Sequence, residues 1–395
     1  MKLTWKYKLR PNAGDRERLF AILKEDRTLY NAALEERINQ YGYWKRTGIG
    51  RKGPTFADQC RALTEIRRDD PEIAKGHRFR QTGPLKVLDE AFSHFFRRVK
   101  NGEKPGFPKF KAAKFWRTIR IDAQCRIRSN RIYTADFPNG IRFFKHRDLP
   151  DTWKSGAKIT LKADGWWLTL PVEVETPEQI AIEDAQSVIG IDVGISHLAT
   201  TSDGDQIENP KMERKNARRI RRLQRELQRA KRVSKSRERK KRNLAKAKLA
   251  EANRRKDHLH KVSRDLCDRH DLIVYEELNT KGLAKSKLAR DVHDASWSTL
   301  LGMIDYKASK GGGHAVGVDP RGTSQECSGC GEIVRKSLSQ RTHRCTSCGL
   351  VLDRDVNAAI NIRRRGLGIS LSSATPIPPA GAGGVDANPY VHGVA

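Results

Sequence analysis

No run of about 18 consecutive apolar residues occurs in this 395-residue chain, so nothing in it reads as a membrane-spanning helix. The start, Met1-Lys-Leu-Thr-Trp-Lys-Tyr7, lacks the apolar core of a secretory signal, and no lipidation motif is visible. Cysteine is scarce. Of seven, Cys60, Cys125 and Cys267 are scattered and four stand in pairs, which suits a reducing cytosol better than a disulfide framework. Acidic residues are also short, 47 Asp and Glu against 78 Lys and Arg, a net charge of +31. A field of that sign gathers polyanions and makes their binding salt-dependent. The expectation is a cytoplasmic, nucleoid-associated protein that handles nucleic acid, with a ribosome-like structural protein as the plainer alternative. Length leaves room for two or three domains, and 37% hydrophobic residues suffice for packed cores.

Leu3, Trp5, Tyr7 and Leu9 alternate with Lys2, Lys6, Lys8 and Arg10, an amphipathic strand ended by Pro11-Asn12. Helical spacing follows to about residue 100, interrupted by a loop from Gly48 to Pro54; its clearest stripe is Leu85, Leu88, Phe92, Phe95 and Val99, after Pro84 near a helix start. Strand patterns return over 115–174, including a hairpin at Asp164-Gly165 before Trp166-Trp-Leu-Thr-Leu170. The first strand has no partner nearby, so it is expected to join this later set, with the helical block inserted between. Beyond a linker at 175–185 come an apolar strand holding Asp192, a Lys/Arg-rich stretch from Lys211 to Lys256 that reads as two helices joined near 235, and the strand Leu272–Tyr275. A helix over 294–310 and a strand over 314–318 follow. Residues 367–395, rich in Ser, Pro, Gly and Ala, read as a disordered tail.

Cys327-x-x-Cys330 and Cys345-x-x-Cys348 have the spacing of a four-thiolate zinc site, and Gly329, Gly331 and Gly349 suit knuckle turns. A redox role for these thiols is the alternative, which the second matched pair disfavours. Four sulfurs close the coordination sphere, so such a zinc is structural. Three carboxylates stand at ends of apolar elements: Asp192 within its strand, Glu276 after Tyr275 with Glu277 beside it, and Asp355 before Asn357-Ala-Ala-Ile-Asn361 with Asp353 two residues earlier. Any one alone is as well explained as a strand-end or capping acid. Three in the order strand, strand, helix match what metal-assisted phosphodiester hydrolysis needs, carboxylates for Mg²⁺ or Mn²⁺ converging from different elements. Phe107, Phe110, Phe115 and Trp116, interleaved with Lys104, Lys109, Lys111 and Lys114, either stack bases or lie in the β domain's core. The Lys211–Lys256 stretch is either a solvated hairpin or, with so few acids in it, a grip on nucleic-acid backbones.

Gly190-Ile-Asp192-Val-Gly194, Val274-Tyr-Glu276-Glu-Leu-Asn279 and Asp353-Arg-Asp355-Val-Asn-Ala-Ala-Ile-Asn361 resemble the three motifs of a RuvC-like domain of the RNase H fold. With Thr323-Ser-Gln-Glu-Cys327 opening the cysteine segment and Asp294-Ala-Ser-Trp-Ser298 before it, the chain resembles TnpB, the insertion-sequence-encoded RNA-guided nucleases related to type V CRISPR effectors. The resemblance spans residues 1–365 and is strongest over 188–365. It implies a multidomain α/β protein: a wedge-like β-barrel domain of 1–10 and 105–180, a helical recognition lobe of 11–104, a RuvC-like nuclease domain of 186–322 and 351–366, and an inserted zinc ribbon of 323–350. It further implies a catalytic, Mg²⁺-binding triad of Asp192, Glu276 and Asp355, a structural Zn²⁺ on Cys327, Cys330, Cys345 and Cys348, and two partners, a guide RNA from the transposon end and a double-stranded DNA target. The rivals are a nuclease-independent RNA-guided repressor and a transposase that needs no RNA. Oligomeric state and the flanking DNA motif are not legible.

Overall fold

The computed structural model describes residues 1–121, 125–149, 156–279, 282, 289–337 and 339–368; from 369 on, the expected tail lies outside the described residues. Two compact units divide at Glu175/Thr176. Among the described residues no helix is long and apolar enough to cross a membrane.

In the first unit, β1 (Lys2–Lys8) pairs antiparallel with β7 (Gly165–Glu173), Lys2 opposite Glu173 and Lys8 opposite Trp167. That sheet continues through β6 (Ala157–Lys162) to β2 (Thr118–Ile121). A second sheet holds β3 (Arg126–Arg128), β4 (Arg131–Thr134) and β5 (Phe137–Arg142). Past β1, Leu9 bridges to Phe143 and the Arg10 N–H donates to the Arg142 carbonyl at 2.7 Å, which ties the two sheets along one edge. Helices α1 (Ala13–Thr47), α2 (Phe56–Asp69), α3 (Pro71–Ala74) and α4 (Arg78–Lys100) are therefore spliced between strands of one sheet. The first two are started by reciprocal capping boxes, Asn12 with Asp15 and Thr55 with Asp58. Pro84 is not at a helix start: α4 begins six residues earlier, after His77, and the proline sits in its second turn, where its missing N–H removes one helical hydrogen bond. Trp116 is buried, whereas Phe107, Phe110 and Phe115 are exposed, so the aromatic stretch divides between core and surface.

A charged group joins the helices to the β-strands. Arg80 of α4 bonds Asp26 of α1, Glu25 at 2.6 Å and Asp136, between β4 and β5, at 3.0 Å. Arg18 adds Asp136 at 2.8 Å and Glu25 at 2.9 Å. Two guanidiniums thus meet three carboxylates. Burial, against the pull of Arg80, holds Asp26 up at about 7.

The second unit is built on a five-stranded sheet in the order β10 (Gln206–Glu208), β9 (His197–Thr201), β8 (Val188–Asp192), β11 (Leu272–Glu276) and β12 (His314–Val318). The first three strands run antiparallel, while β8, β11 and β12 are mutually parallel. Between β10 and β11 lies a helical hairpin, α5 (Met212–Gln228) and α6 (Lys235–Arg269). Arg254 reaches Asn216 at 2.8 Å and Arg237 reaches the Leu227 carbonyl at 2.9 Å, so the two helices are antiparallel. At the tip Val233 is fully exposed with φ of 56°. The helix expected over 294–310 is two, α7 (Ala289–Ala295) and α8 (Trp297–Gly311), separated by Ser296 at φ 55°. The break has a cause on each side: Arg255 holds Asp294 at 2.7 Å, and the Trp297 indole donates to the Gly194 carbonyl at 3.1 Å. The cysteine segment, with β13 (Thr342–Arg344) paired to β14 (Val351–Asp353), precedes the last helix, α9 (Arg354–Gly366).

Side-chain parity decides what each sheet face carries. Ile189, Ile191 and Ile273 point to one face, into a core with Leu259, Leu266, Leu300 and Ile304 of α6 and α8. Each buried isoleucine stabilises by about 2 kcal/mol, and a one-residue slip would move them out of this core and against α9, where Gly190 leaves no room for a side chain. The even-numbered residues face α9. A Cβ on Gly190 would lie 2.1 Å from the Ala359 carbonyl oxygen, and one on Gly366 would lie 2.4 Å from a Val274 methyl. Helix α9 therefore rests directly on β8 and β11, and only glycine at 190 permits that approach.

Candidate active site and metal centre

Parity and register together bring the carboxylates to one place. Strands β8 and β11 are paired in parallel, Val274 opposite Gly190 and Tyr275 opposite Ile191. One step further stand Glu276 and Asp192, at the carboxyl ends of adjacent parallel strands and on the face that α9 covers. Glu277 alternates to the other face, where its side chain lies over Gly317. Asp355 enters from the first turn of α9. Asp353 is occupied as that helix's cap: its carboxylate accepts from the N–H groups of Asp355 at 2.8 Å and Val356 at 3.2 Å. Asp355 is near enough for its charge to act on Asp192, and the exposed Arg341 guanidinium stands 3.5 Å from its carboxylate.

The electrostatics show that these acids crowd one another. Burial, then the charges of Glu276 and Asp355, hold Asp192 well above the usual carboxylate range; Arg354 offsets part of this. Burial also raises Glu276, against the Thr323 hydroxyl that donates to it and the charge of Arg365. Among the described residues no Lys or Arg forms an ion pair with Asp192 or Glu276 within 4.0 Å. The oxygens are spread more widely than a single tight cluster: the four cysteines alone, among the described residues, offer three or more ligand atoms all within 4.8 Å of one another.

The cysteines form two copies of one turn. In each, the N–H of a left-handed glycine donates to the carbonyl of the first cysteine, Gly331 to Cys327 at 2.9 Å and Gly349 to Cys345 at 3.0 Å. In each, the first cysteine's N–H donates to the residue five further on, Glu332 or Leu350, at 2.9 Å. Cys327 and Cys348 sulfurs stand 3.6 Å apart, Cys330 and Cys345 3.5 Å. A tetrahedron with Zn–S of about 2.3 Å has edges of about 3.8 Å, so the four thiols fit zinc. The knuckle N–H groups of Cys348 and Ser347 pull Cys345 down to about 6, while burial lifts Cys327 to about 12. His343 is buried beside Lys336 and is not needed as a ligand.

Helix α9 links the two sites through residues whose roles the sequence pattern did not reveal. Its face opposite the sheet carries Asn357, Asn361, Arg364 and Arg365, spaced at i, i+4, i+7 and i+8. Asn357 accepts from the Ser328 N–H at 2.9 Å and donates to the Glu326 carbonyl at 2.8 Å. Asn361 donates to the carbonyls of Thr323 at 2.9 Å and Glu326 at 2.8 Å. Arg365 spans the carbonyls of Asp319 and Arg321, both at 2.8 Å. The Asn-x-x-x-Asn spacing was the available signal, since two amides one turn apart on a half-buried helix need partners.

A mixed α/β multidomain protein with a four-thiolate centre beside a carboxylate site is the class these features define. Residues 169–287 match a family model described as a probable transposase, and residues 297–362 match one described as a Cas12f1-like TNB domain. A protein of Streptomyces pristinaespiralis named an RNA-guided DNA endonuclease is 30% identical over 387 residues, covering 94% of this chain and 90% of that one. The Escherichia coli K12 protein named RNA-guided DNA endonuclease InsQ is 30% identical over 307 residues, covering 71% and 73%. The cryo-EM structure of a Cas12f1–sgRNA–target DNA complex has a similar fold, with a TM-score of 0.55 at 15% identity over 88% of this chain and 82% of that one. The chain belongs to the TnpB family.

Proposed function

We propose that this protein cuts DNA with a RuvC-like site in which Asp192, Glu276 and Asp355 hold two divalent cations, Mg²⁺ or Mn²⁺. The activity itself, RNA-guided DNA endonuclease of an insertion sequence, is that of its family. The observation that carries the site is the register of β8 against β11, which sets Asp192 beside Glu276 on the face where α9 delivers Asp355. Three acids converging, the two most buried without an ion-pair partner among the described residues, are costly to bury, and a divalent ion reverses that cost. Bound ions would activate water and stabilise the leaving oxygen in an in-line displacement.

The remaining parts follow the same reading. The four thiols hold a structural zinc in a ribbon of 323–350. The first unit supplies the barrel-like wedge, with α1 to α4 as its recognition lobe. The basic hairpin of α5 and α6, with the exposed Phe107, Phe110 and Phe115, grips backbones and stacks bases of guide RNA and target DNA. Pairing then supplies sequence while the protein supplies charge and shape.

The test is to sequence RNA that co-purifies with the protein, then assay cleavage of matched DNA beside its flanking motif. Cleavage is expected to require that RNA and Mg²⁺ or Mn²⁺, and to vanish in Asp192→Ala while target binding remains. Cutting by that substituted protein, or by RNA-free protein, contradicts the reading.

A further inference from the structure

We propose that Thr323 is a positioning residue for Glu276, and that it couples the cysteine ribbon to metal binding at the carboxylate site. The inference rests on the reading of Glu276 as a metal ligand.

Thr323 is buried, and its hydroxyl donates to Glu276 Oε1. The Pro320 carbonyl, 3.1 Å from the same hydroxyl, is its alternative acceptor. A glutamate's terminal torsion is broad, so a carboxylate on a strand end turns freely unless something holds it. One oxygen taken by the threonine leaves Oε2 to face an ion. Hydrogen-bonded partners of this kind orient metal ligands elsewhere, and losing one lowers metal affinity roughly 10- to 100-fold.

The threonine is itself fixed. Asn361 holds its carbonyl, Asn357 holds the backbone at 326 and 328, and Arg364 holds the Ser328 carbonyl, all from α9. Thr323 lies four residues before Cys327, the first thiol of the ribbon. The contacts close a ring: α9 carries Asp355, grips the ribbon stem, and through the stem's hydroxyl orients Glu276. Two ligands from different elements are thereby set by one helix. A merely local role, capping the turn at Pro320, would affect folding but not the ions.

The experiment uses guide-loaded, full-length protein with three substitutions, Thr323→Val, Thr323→Ser and Glu276→Gln. Mn²⁺ binding is followed by electron paramagnetic resonance, and cleavage by the Mn²⁺ concentration at half-maximal rate. T323V is expected to weaken Mn²⁺ binding and raise that concentration, each about 10-fold. T323S is expected to restore both, and target-DNA binding to stay unchanged throughout. T323V with wild-type Mn²⁺ affinity and midpoint overturns the proposal; so does a cleavage defect without a change in Mn²⁺ binding. If T323V lowers the unfolding midpoint, Thr323→Ala is measured in the same way and decides. E276Q separates the two levels: unimpaired Mn²⁺ binding and cleavage there overturn the site itself, whereas its loss beside a normal T323V overturns only the role of Thr323.

Discussion

The protein gathers three carboxylates in two places, and the two differ in what stands between them. Around Asp26, Glu25 and Asp136 the chain supplies two guanidiniums of its own, Arg80 and Arg18, from neighbouring elements. Around Asp192, Glu276 and Asp355 it supplies the exposed Arg341, at 3.5 Å from one acid, and the partial offsets of Arg354 on Asp192 and Arg365 on Glu276. The first group is self-neutralising to within one charge and fastens helices to strands. In the second, among the described residues, no cation stands within ion-pair distance of the two most buried acids, in a chain whose net charge is +31. Cations are abundant in this protein, yet among the described residues none pairs with those two acids, which on the proposed reading separates a site for an external ion from a structural ion-pair network.

The comparison can be broken at either end. The largest effect is expected at the second group: Asp192→Asn lowers cleavage by roughly three orders of magnitude, the several kcal/mol that metal-held charge stabilisation supplies. Its unfolding midpoint without metal stays equal or rises, since a repelled charge is removed; a marked fall would make Asp192 structural. At the first group Arg80→Met should do the reverse, costing about 3–5 kcal/mol by stranding buried acids, with no divalent ion able to restore it. Denaturant unfolding measures that loss, and a neutral result would dissolve the contrast. Between the two lies the ribbon. Cys345→Ser should abolish binding of the zinc proposed for the four thiols, counted by atomic emission, and slow cleavage roughly 10- to 100-fold by loosening what α9 holds. Cleavage at the wild-type rate in zinc-free protein would detach the ribbon from the site.

The smallest effect is a pH dependence in the first unit. Asp26 titrates near 7 when folded, against an ordinary value of 3.8, so folding favours its neutral form. That stabilisation is complete below the ordinary value and gone once pH passes about 7. Raising pH from 6 to 8 should therefore cost about 1 kcal/mol, and Asp26→Asn should flatten the curve. An equal slope in that variant would assign the proton elsewhere.

What was legible in the sequence is what local rules encode. Cys-x-x-Cys with glycine after each pair needs only a knuckle turn, and both knuckles formed as spaced. The face that Asp192 and Glu276 share was not legible, because Leu272 and Val274 are as buried as Ile191 and Ile273 and no polar alternation marks one side of the strands. The partner of the first strand was legible by elimination, and β1 does pair with β7. Tertiary anchors were not legible. Nothing local marks Thr323, whose partner is 47 residues away, or Arg80, which reaches back 54 to Asp26. The break at Ser296 was hidden because apolar spacing runs through it, while the forces that stop the helix come from Arg255 and Gly194.

The exposed tip at Val233 gives the long hairpin a use unrelated to charge. A chain opened there would divide into two polypeptides, the first carrying Asp192 and the second Glu276 and Asp355. On the proposed reading neither piece holds a complete site, and the three acids come together where α9 covers the seam between β8 and β11. The two antiparallel helices would serve as the clasp that brings the halves back into register. Cleavage by such a divided protein would count reassembly events, each cut recording that two separate chains had rebuilt one sheet.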